Sequence, residues 1–399
     1  MCVGTGVLAI PFAATEGGIL FSIIGLGLVT VWNIYSVDRM IESKAIIQRY
    51  ALSLDGIENN GPNENTNELG LVTWYAFGDR GLLSIDFIMI SLMTGIIVAY
   101  EDAILGFIHD TPFTSGNDRI DAVFIIVLIT PVLFLPNYES ISKVSALGTS
   151  LIGAIFLYFT YYGYETYGVK GISSVGWNDA WPKNFSALSN WFGVAAFGVG
   201  LVPFTYSMQE SMEEPKEMMK ATRISLTIVF LVYVVIGDVI TILFDDTIKG
   251  DILSELPVSI IATIIRMLMT IVVLTSVPLI LIPAGDLIHD KILGKSTKVG
   301  KSVYLVRFAL ALLCAFISVE VPDFVSIISF VGCFCVALLS FAYPPLLHLR
   351  CVFKFLSVEE RRLKQKLIIV DIVLLLWGIL STIFTSFLAF QNLISQEKE

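Results

Sequence analysis

The chain has little charge, few cysteines and few histidines. Charged residues make up 15% of its 399 residues, whereas about 25% is usual in a globular protein. Five cysteines, all in or beside apolar segments, argue against the disulfide framework of a small secreted domain. The net charge of -10 argues against nucleic acid as a partner, because binding phosphates normally requires a basic patch. With 55% hydrophobic residues, the composition indicates an integral membrane protein.

The residues that enzymes and metal sites use are also scarce. The three histidines, His109, His289 and His348, fall at the ends of apolar segments, where we expect them to lie at the membrane interface. Cys333 and Cys335 would point about 200° apart on a helix, which is poor geometry for binding one ion. No clustered catalytic group and no channel filter motif is present. We therefore expect no catalytic residue, no metal site and no cofactor.

Ten apolar runs have the length that spans a bilayer as a helix, and a shorter apolar piece, residues 2–17, precedes them. The predicted spans are 18–40, 82–108, 120–137, 143–163, 187–208, 223–244, 257–284, 303–320, 324–349 and 367–392. The piece 2–17 has no basic leader and no clear cleavage site, so it resembles the second half of a helix rather than a signal peptide. We expect an all-α fold of eleven transmembrane helices, the first N-terminally incomplete. One transmembrane domain covers 1–393, and 394–399 form a short tail.

The connections between spans carry an asymmetric distribution of basic residues. Most lysines and arginines fall on the side of the long connection 41–81, and the opposite side has only Arg119, Lys170, Lys183, Lys249 and Lys398. The positive-inside rule predicts that 41–81 is cytoplasmic. Its polar stretch 53–70 is predicted to be disordered. Asn184 begins a sequon in the connection 164–186, on the outer side, and is a candidate for glycosylation.

Glycine and proline interrupt two apolar segments at matching positions. Residues 4–11 read GTGVLAIP, and residues 197–203, five spans later, read FGVGLVP. Interior glycine lowers helix stability by about 1 kcal/mol and proline by about 3 kcal/mol, so both stretches predict broken helices. Secondary transporters often have such breaks near the bilayer midplane, where freed amides suit a carboxylate and freed carbonyls suit a cation or an amine. The alternative is the general enrichment of glycine and proline in membrane helices.

Five stretches resemble, in order, the amino acid/auxin permease family of the amino acid transporter superfamily. The resemblance is closest to the proton-coupled and sodium-coupled neutral amino acid transporters. The stretches are GTGVLAIPFAATEGG (4–18), ELGLVTWYAFGDRG (68–81), SMEEPKEMMKAT (211–222), FDDTIKGDILSELP with TSVPLILIPAGDLI (244–257 and 275–288), and VPDFVSIISFVGCFCVALLSFAYPPLLHL (321–349).

The resemblance implies the five-plus-five inverted-repeat fold of bacterial leucine transporters, with helices one and six broken. It implies that backbone around Gly4, Thr5 and Gly6 binds the α-carboxylate of an amino acid. The backbone around Phe197, Gly198 and Gly200 would bind the α-amine and shape the side-chain pocket.

The resemblance also implies secondary active transport by alternating access, with small neutral amino acids as substrates and H⁺ or Na⁺ as coupling ion. Thr275 and Ser276 stand where sodium-coupled relatives place a hydroxyl ligand, although such a pair is also typical of back-bonded packing. Proton-coupled relatives have an acidic residue in helix six where this chain has Gly198, Val199 and Gly200. Relatives also begin helix one earlier, so a truncated, inactive transporter is one alternative, and an amino acid sensor without net flux is another.

Ionisable residues inside spans are the remaining candidates, because charge within lipid costs about 2.5 kcal/mol or more. Asp238 lies deep in its span and is a candidate for ion coupling. Glu101 and Asp102 lie near an outer end, where we expect them to be hydrated. Arg266 is expected to be buried against protein or to reach outward. We expect a monomer in the lipid bilayer of the plasma membrane or of a vacuolar or lysosomal membrane.

Overall fold

A computed structural model describes residues 5–50, 67–109, 111–133, 139–167, 177–244, 248, 250, 252–257, 259–292, 301–321 and 323–396. Every regular element within these ranges is helical. In chain order the α-helices are α1 (Ile10–Gly17), α2 (Ile19–Tyr50), α3 (Glu68–Phe77), α4 (Asp79–His109), α5 (Asp118–Leu133), α6 (Glu139–Tyr167), α7 (Phe185–Gly198), α8 (Thr205–Ser211), α9 (Met218–Phe244), α10 (Ile260–Ile292), α11 (Lys301–Glu320), α12 (Phe324–Val331), α13 (Tyr343–Phe355), α14 (Val358–Leu363) and α15 (Gln365–Gln396).

Eight helical segments among the described residues are long and apolar enough to cross a membrane. They are Ile19–Tyr50, Asp79–His109, Phe185–Ser211, Pro215–Phe244, Ile260–Ile292, Lys301–Glu320, Phe324–Phe355 and Gln365–Ile394. The prediction of an all-helical, multi-pass membrane protein is therefore confirmed. The count of eleven spans and the inverted repeat stay predictions. The predicted spans 120–137 and 143–163 correspond to α5 and α6, which flank residues outside the described ranges.

The helix after the first break is longer than its apolar run. We predicted a span ending at residue 40, but α2 continues to Tyr50, and α3 lies inside the predicted connection 41–81. The charged turn remains helical because protein surrounds it: Lys44 Nζ lies 2.8 Å from Glu68 Oε1 of α3, and Glu42 pairs with Lys364. Hydropathy treats such paired charges as the end of a span. Residues 51–66, most of the stretch predicted to be disordered, lie outside the described residues.

The helices divide between an interior and a lipid-facing layer. Of the eight spans, Phe324–Phe355 is the most buried and Gln365–Ile394 the least. On α15 the apolar side chains of Trp377, Leu380 and Ile383 are exposed, whereas Asp371 is fully buried. Lipid tails solvate apolar side chains as well as protein does, so this exposed apolar surface is typical of a membrane face.

The most buried span, Phe324–Phe355, departs from α-helical geometry after α12 ends. Residues Gly332–Val336 and Leu338–Ala342 are π-helical, an arrangement that is rare and frequent at functional sites. This segment packs closely on α7: a Cβ atom at Gly193 would overlap the backbone of Ser329, and one at Gly332 would overlap the Gly193 carbonyl. The two backbones therefore touch without intervening side chains.

Replacing Gly193 by alanine should destabilise the protein, because backbone atoms that cannot move aside occupy the space of the new methyl group. Overpacking of this kind typically costs about 1–3 kcal/mol. We expect a lower melting temperature for Gly193→Ala in detergent. The matched control is Gly153→Ala on α6, where a Cβ would meet nothing within 4 Å. Equal melting of the two variants would contradict the close packing.

Candidate functional site

The segment where the sequence predicts the first interruption lies immediately before α1. Residues Thr5–Ala9 form a 3₁₀-helix, and Pro11 sits in the first turn of α1, where its missing N–H is tolerated. Val7, Leu8 and Ala9 are fully buried. Gly4 lies outside the described residues, as does the side chain of Thr5. The backbone therefore changes helical form here inside the protein rather than at a lipid surface.

The second interruption separates α7 from α8. Helix α7 ends at Gly198, and a 3₁₀ turn, Val202–Phe204, precedes α8. Between them the Leu201 amide donates to the Val199 carbonyl at 2.8 Å instead of continuing the α-helical pattern. This segment, too, is buried. The predicted break in helix six is present in the backbone.

The two interruptions are in contact. A Cβ atom at Gly6 would lie 3.0 Å from Cδ1 of Phe197 and 3.8 Å from the Cα of Gly198. The structure thus brings together Gly6, Phe197 and Gly198, which are separated by nearly half the chain. Gly200 faces the π-helical segment instead, where its Cβ would lie 2.7 Å from Val336 Cγ1.

Helix α9 covers one side of this junction. The Tyr233 hydroxyl donates to the Gly198 carbonyl at 3.1 Å, which satisfies one backbone oxygen at the end of α7. One turn further along the helix, Asp238 faces a small cavity that is bounded by α1, α2, α7 and α9. The cavity is lined by Ile10, Ala13, Ala14, Ser22, Leu26, Trp191, Ala195, Tyr233 and Asp238.

The Asp238 carboxyl lines this cavity without a hydrogen-bond partner from the part of the chain that the structure describes. The residue is 8% exposed, and among the described residues neither of its oxygens has a hydrogen-bond partner. The Ser22 hydroxyl, which lines the same cavity, is also without one. Burying such groups within a membrane is costly unless a ligand, a proton or water satisfies them. This chemistry makes the cavity beside the breaks a candidate ion site.

The hydroxyls of Thr275 and Ser276 on α10 are already engaged. Both donate to the Val272 carbonyl, at 2.8 and 2.9 Å, which is the back-bonded arrangement. Pro278, inside the same helix, removes the amide that would otherwise pair with the Leu274 carbonyl. The hydroxyls of Thr275 and Ser276 and the carbonyls of Val272 and Leu274 therefore place several oxygen atoms on one stretch of α10. No hydrogen bond among the described residues joins this pair to Asp238.

Polar contacts close both ends of the bundle around the junction. One end of the bundle is formed by α3 and α14. We call it the basic end, because most lysines and arginines of the connections lie on this side. There Tyr206 of α8 donates to the Met40 carbonyl at 2.8 Å. At the opposite end, Arg266 donates to the carbonyls of Leu253 and Leu256, at 3.2 and 2.9 Å. The loop that Arg266 holds packs against the Thr5–Ala9 turn. Arg266 is thus buried against protein, one of the two outcomes predicted for it.

Burial corrects two expectations about ionisable residues. Glu101 was expected to be hydrated, but it is 1% exposed, and within the described part of the chain neither carboxyl oxygen has a hydrogen-bond partner. His289 and His348 were expected at the interface, yet both are buried. In each case a neighbouring helix covers a position near the end of an apolar run, which hydropathy does not register.

One functional candidate escaped the sequence analysis altogether. Asp371 on α15 is fully buried and lies 2.6 Å from Nδ1 of His348. A lone carboxylate inside the apolar run 367–392 was a visible signal for it. Its partners could not be inferred, because they lie on other helices: His348 on α13 and Tyr35 on α2.

The glycosylation candidate Asn184 is exposed and caps α7. Its Oδ1 accepts from the Ala187 amide at 2.8 Å, which leaves the side-chain nitrogen pointing elsewhere. The sequon's Ser186 donates to Asn392 Oδ1 at 2.7 Å. Glycosylation at Asn184 stays a prediction.

A buried helix break after Gly198 that contacts the buried 3₁₀ turn Thr5–Ala9, inside an all-helical multi-pass bundle, resembles the discontinuous helices of secondary transporters. Comparison with known proteins agrees. Residues 1–387 match the family described as transmembrane amino acid transporter protein, and the chain belongs to that family. It is a family of transporters, not of enzymes.

Several relatives are similar along most of the chain. Vacuolar amino acid transporter 3 of Schizosaccharomyces pombe is 27% identical over an alignment of 368 positions that covers 87% of this chain and 51% of that protein. Amino acid transporter ANT1 of Arabidopsis thaliana is 23% identical over 96% of this chain and 89% of its own length. Vacuolar amino acid transporter 4 of Saccharomyces cerevisiae is 23% identical over 96% of this chain and 56% of its own length. This chain thus spans about half the length of the two yeast proteins.

Replacing Tyr233 by phenylalanine should leave the Gly198 carbonyl without this donor. A buried hydrogen bond contributes about 0.5–1.5 kcal/mol, so we expect a modestly lower melting temperature. Tyr164→Phe, at a position whose side chain is exposed, is the matched control. Indistinguishable melting of the two variants would mean that the Tyr233 contact does not stabilise the break.

Proposed function

We propose that this protein is a secondary active transporter that carries amino acids across a membrane by alternating access. Small neutral amino acids are the proposed substrates, and H⁺ or Na⁺ the coupling ion. The observation that carries the proposal is the contact between the two interrupted helices, with Gly6 against Phe197 and Gly198. Family membership supports it independently.

The peptide groups at the junction suit the two charged ends of an amino acid. The amides of Thr5 and Gly6 lie in the first turn of the 3₁₀-helix that leads into α1, where N–H groups without a helical partner favour a carboxylate. Gly4 is proposed to contribute as well, on the sequence resemblance alone. The carbonyls of Phe197 and Gly198 end α7 and are the proposed acceptors for the ammonium group. The Phe197 oxygen already accepts from the Gly200 amide at 3.2 Å. The Gly198 oxygen already accepts from Tyr233 and retains a second lone pair.

Phe197 supports the choice of small neutral substrates. Its ring packs closely against Gly6, since a Cβ atom there would lie 3.0 Å from Cδ1 and 3.2 Å from Cε1 of the ring. An amino acid enters only if this ring rotates away, and the ring then bounds the side-chain pocket. A bulky or charged side chain would meet the aromatic edge and the apolar residues around it.

The contacts at the two ends of the bundle fit alternating access. Opening the basic end requires breaking the Lys44–Glu68 ion pair and the Tyr206–Met40 hydrogen bond. Opening the other end requires the loop held by Arg266 to leave the Thr5–Ala9 turn. Because different residues make the two closures, each can open while the other holds.

The coupling ion is proposed to act at Asp238, or at Thr275 and Ser276. A proton would neutralise the buried Asp238 carboxyl, and a sodium ion would use hydroxyl and carbonyl oxygens such as those on α10. We further propose a vacuolar membrane as the location, because two of the similar yeast proteins are named vacuolar amino acid transporters. The plasma membrane and the lysosomal membrane are the alternatives.

Proteoliposome uptake tests the function. Wild-type protein should accumulate a radiolabelled mixture of the protein amino acids when a proton or sodium gradient is imposed, and Gly6→Leu and Gly200→Leu should bind and accumulate none. Leucine at either position overlaps Phe197 or Val336. Gly106→Leu, where a Cβ meets nothing within 4 Å, is the control for insertion and folding.

Binding without accumulation by the wild type would identify a sensor instead. Absence of both binding and accumulation would contradict the transport proposal and indicate an inactive protein. Normal uptake by both leucine variants would contradict the site.

Replacing Asp238 by asparagine should separate coupling from binding. Asparagine keeps the size of the side chain but cannot exchange a proton or hold a cation by charge, so we expect amino acid exchange to persist while gradient-driven accumulation is lost. Asp118→Asn, at an exposed carboxylate, is the control. Undiminished accumulation by Asp238→Asn would exclude Asp238 from coupling.

A further inference from the structure

A buried cluster of charged side chains joins three helices near the basic end. His348 of α13 and Asp371 of α15 are both fully buried, and the side chain of Arg39 on α2 is 5% exposed. The other members are listed here: Tyr35, Asp38 and Glu42 of α2, and Lys364 between α14 and α15. Such a concentration of charge within the bundle is expensive and calls for a function.

The contacts around His348 are specific on both ring nitrogens. Nδ1 lies 2.6 Å from Asp371 Oδ2, and the Tyr35 hydroxyl donates to the other oxygen of Asp371, also at 2.6 Å. Nε2 lies 3.4 Å from Nη1 of Arg39 and 3.4 Å from Oε2 of Glu42. The ring is therefore held by a carboxylate on one side and faces a donor and an acceptor on the other.

This geometry provides a partner for each protonation state of the ring. Neutral His348 donates from Nδ1 to Asp371 and accepts at Nε2 from Arg39. Protonated His348 donates from both nitrogens, and the new Nε2–H finds the Glu42 carboxylate. Binding of one proton thus exchanges the partner of Nε2 from Arg39 to Glu42.

The charges of the cluster favour such an exchange. Asp38, Glu42 and Asp371 carry three negative charges, against two positive charges on Arg39 and Lys364. A proton on His348 brings the cluster to neutrality. The remaining basic side chains of α13 turn away: Arg350 and Lys354 donate to backbone carbonyls of α3, at Ala76 and Tyr75.

The cluster has access to the surface and connects to the moving parts. The Asp38 side chain is 41% exposed, so a proton can reach the cluster without crossing the apolar core. Helix α2 follows the broken first helix directly, and its Ser36 donates to the Ser340 carbonyl in the π-helical segment at 2.6 Å. A change of partner at His348 therefore acts on the helices that flank the junction.

We propose that His348, held by Asp371, is a proton-binding site whose loading and release accompany the movement of α2 against α13 and α15. The site is separate from Asp238 and from Thr275 and Ser276. The proposal deepens the proposed transport function and rests on it.

Proteoliposomes containing His348→Gln test the proposal. A gradient of about one pH unit can drive up to about tenfold accumulation per coupled proton, because 1.4 kcal/mol corresponds to a factor of ten. With the radiolabelled amino acid mixture, His348→Gln should lose this accumulation and reach the same concentration on both sides, while counterflow exchange without a gradient persists. His109→Gln, at a histidine whose side chain is 63% exposed, should behave as wild type.

Asp371→Asn is the second variant, because it leaves the ring in place and removes the carboxylate that orients it. Loss of pH-driven accumulation with retained counterflow in either variant supports the proposal. Accumulation as in wild type by both variants overturns it. Loss of counterflow in both variants also overturns it, because the cluster is then purely structural.

Failure of the transport function itself gives a different result. Wild-type protein would then show neither accumulation nor counterflow. In that case binding of the same amino acid mixture in detergent is compared between about pH 5 and pH 8, the range over which histidine changes charge. Binding that varies with pH in wild type and not in His348→Gln supports the proton site without transport. Equal pH dependence in both rejects it.

Discussion

A helix that is interrupted inside a bilayer must satisfy its freed peptide groups within the protein, because lipid offers them no partner. This constraint explains why the turn Thr5–Ala9 and the break after Gly198 are buried and lie against each other. It explains why α9 places a tyrosine hydroxyl on the Gly198 carbonyl. The glycines on α7 and in the π-helical segment also keep peptide groups inside the protein, since they let the two backbones approach with no side chain between them.

The same constraint connects structure to transport. We propose that peptide groups not fully used by the helices bind a ligand with both an anionic and a cationic end, and an amino acid is such a ligand. The closures at Lys44–Glu68 and at Arg266 lie at opposite ends of this junction. The charges that remain buried, at Asp238 and around His348, lie on helices that pack beside the interrupted ones.

Local sequence patterns predicted much of this. Apolar runs identified the eight candidate spans among the described residues to within a few residues at most of their ends, and glycine with proline predicted the break after Gly198. The break of the first helix stays a prediction. The predicted C-terminal end of α2 and the predicted exposure of Glu101 and His348 were wrong, because each depends on what a neighbouring helix places beside the residue. Arg39, His348 and Asp371 form one cluster in space. Hydropathy along the chain shows them only as three separate polar positions.

The central claim is that the interrupted helices hold the amino acid through their peptide groups. A structure of the protein in lipid nanodiscs, determined after incubation with a mixture of amino acids, tests it most directly. The account predicts density for a small zwitterion between the Gly6 and Gly198 backbones, with the Phe197 ring rotated away from Gly6. Density bound elsewhere in the bundle, with Phe197 still against Gly6, would contradict it.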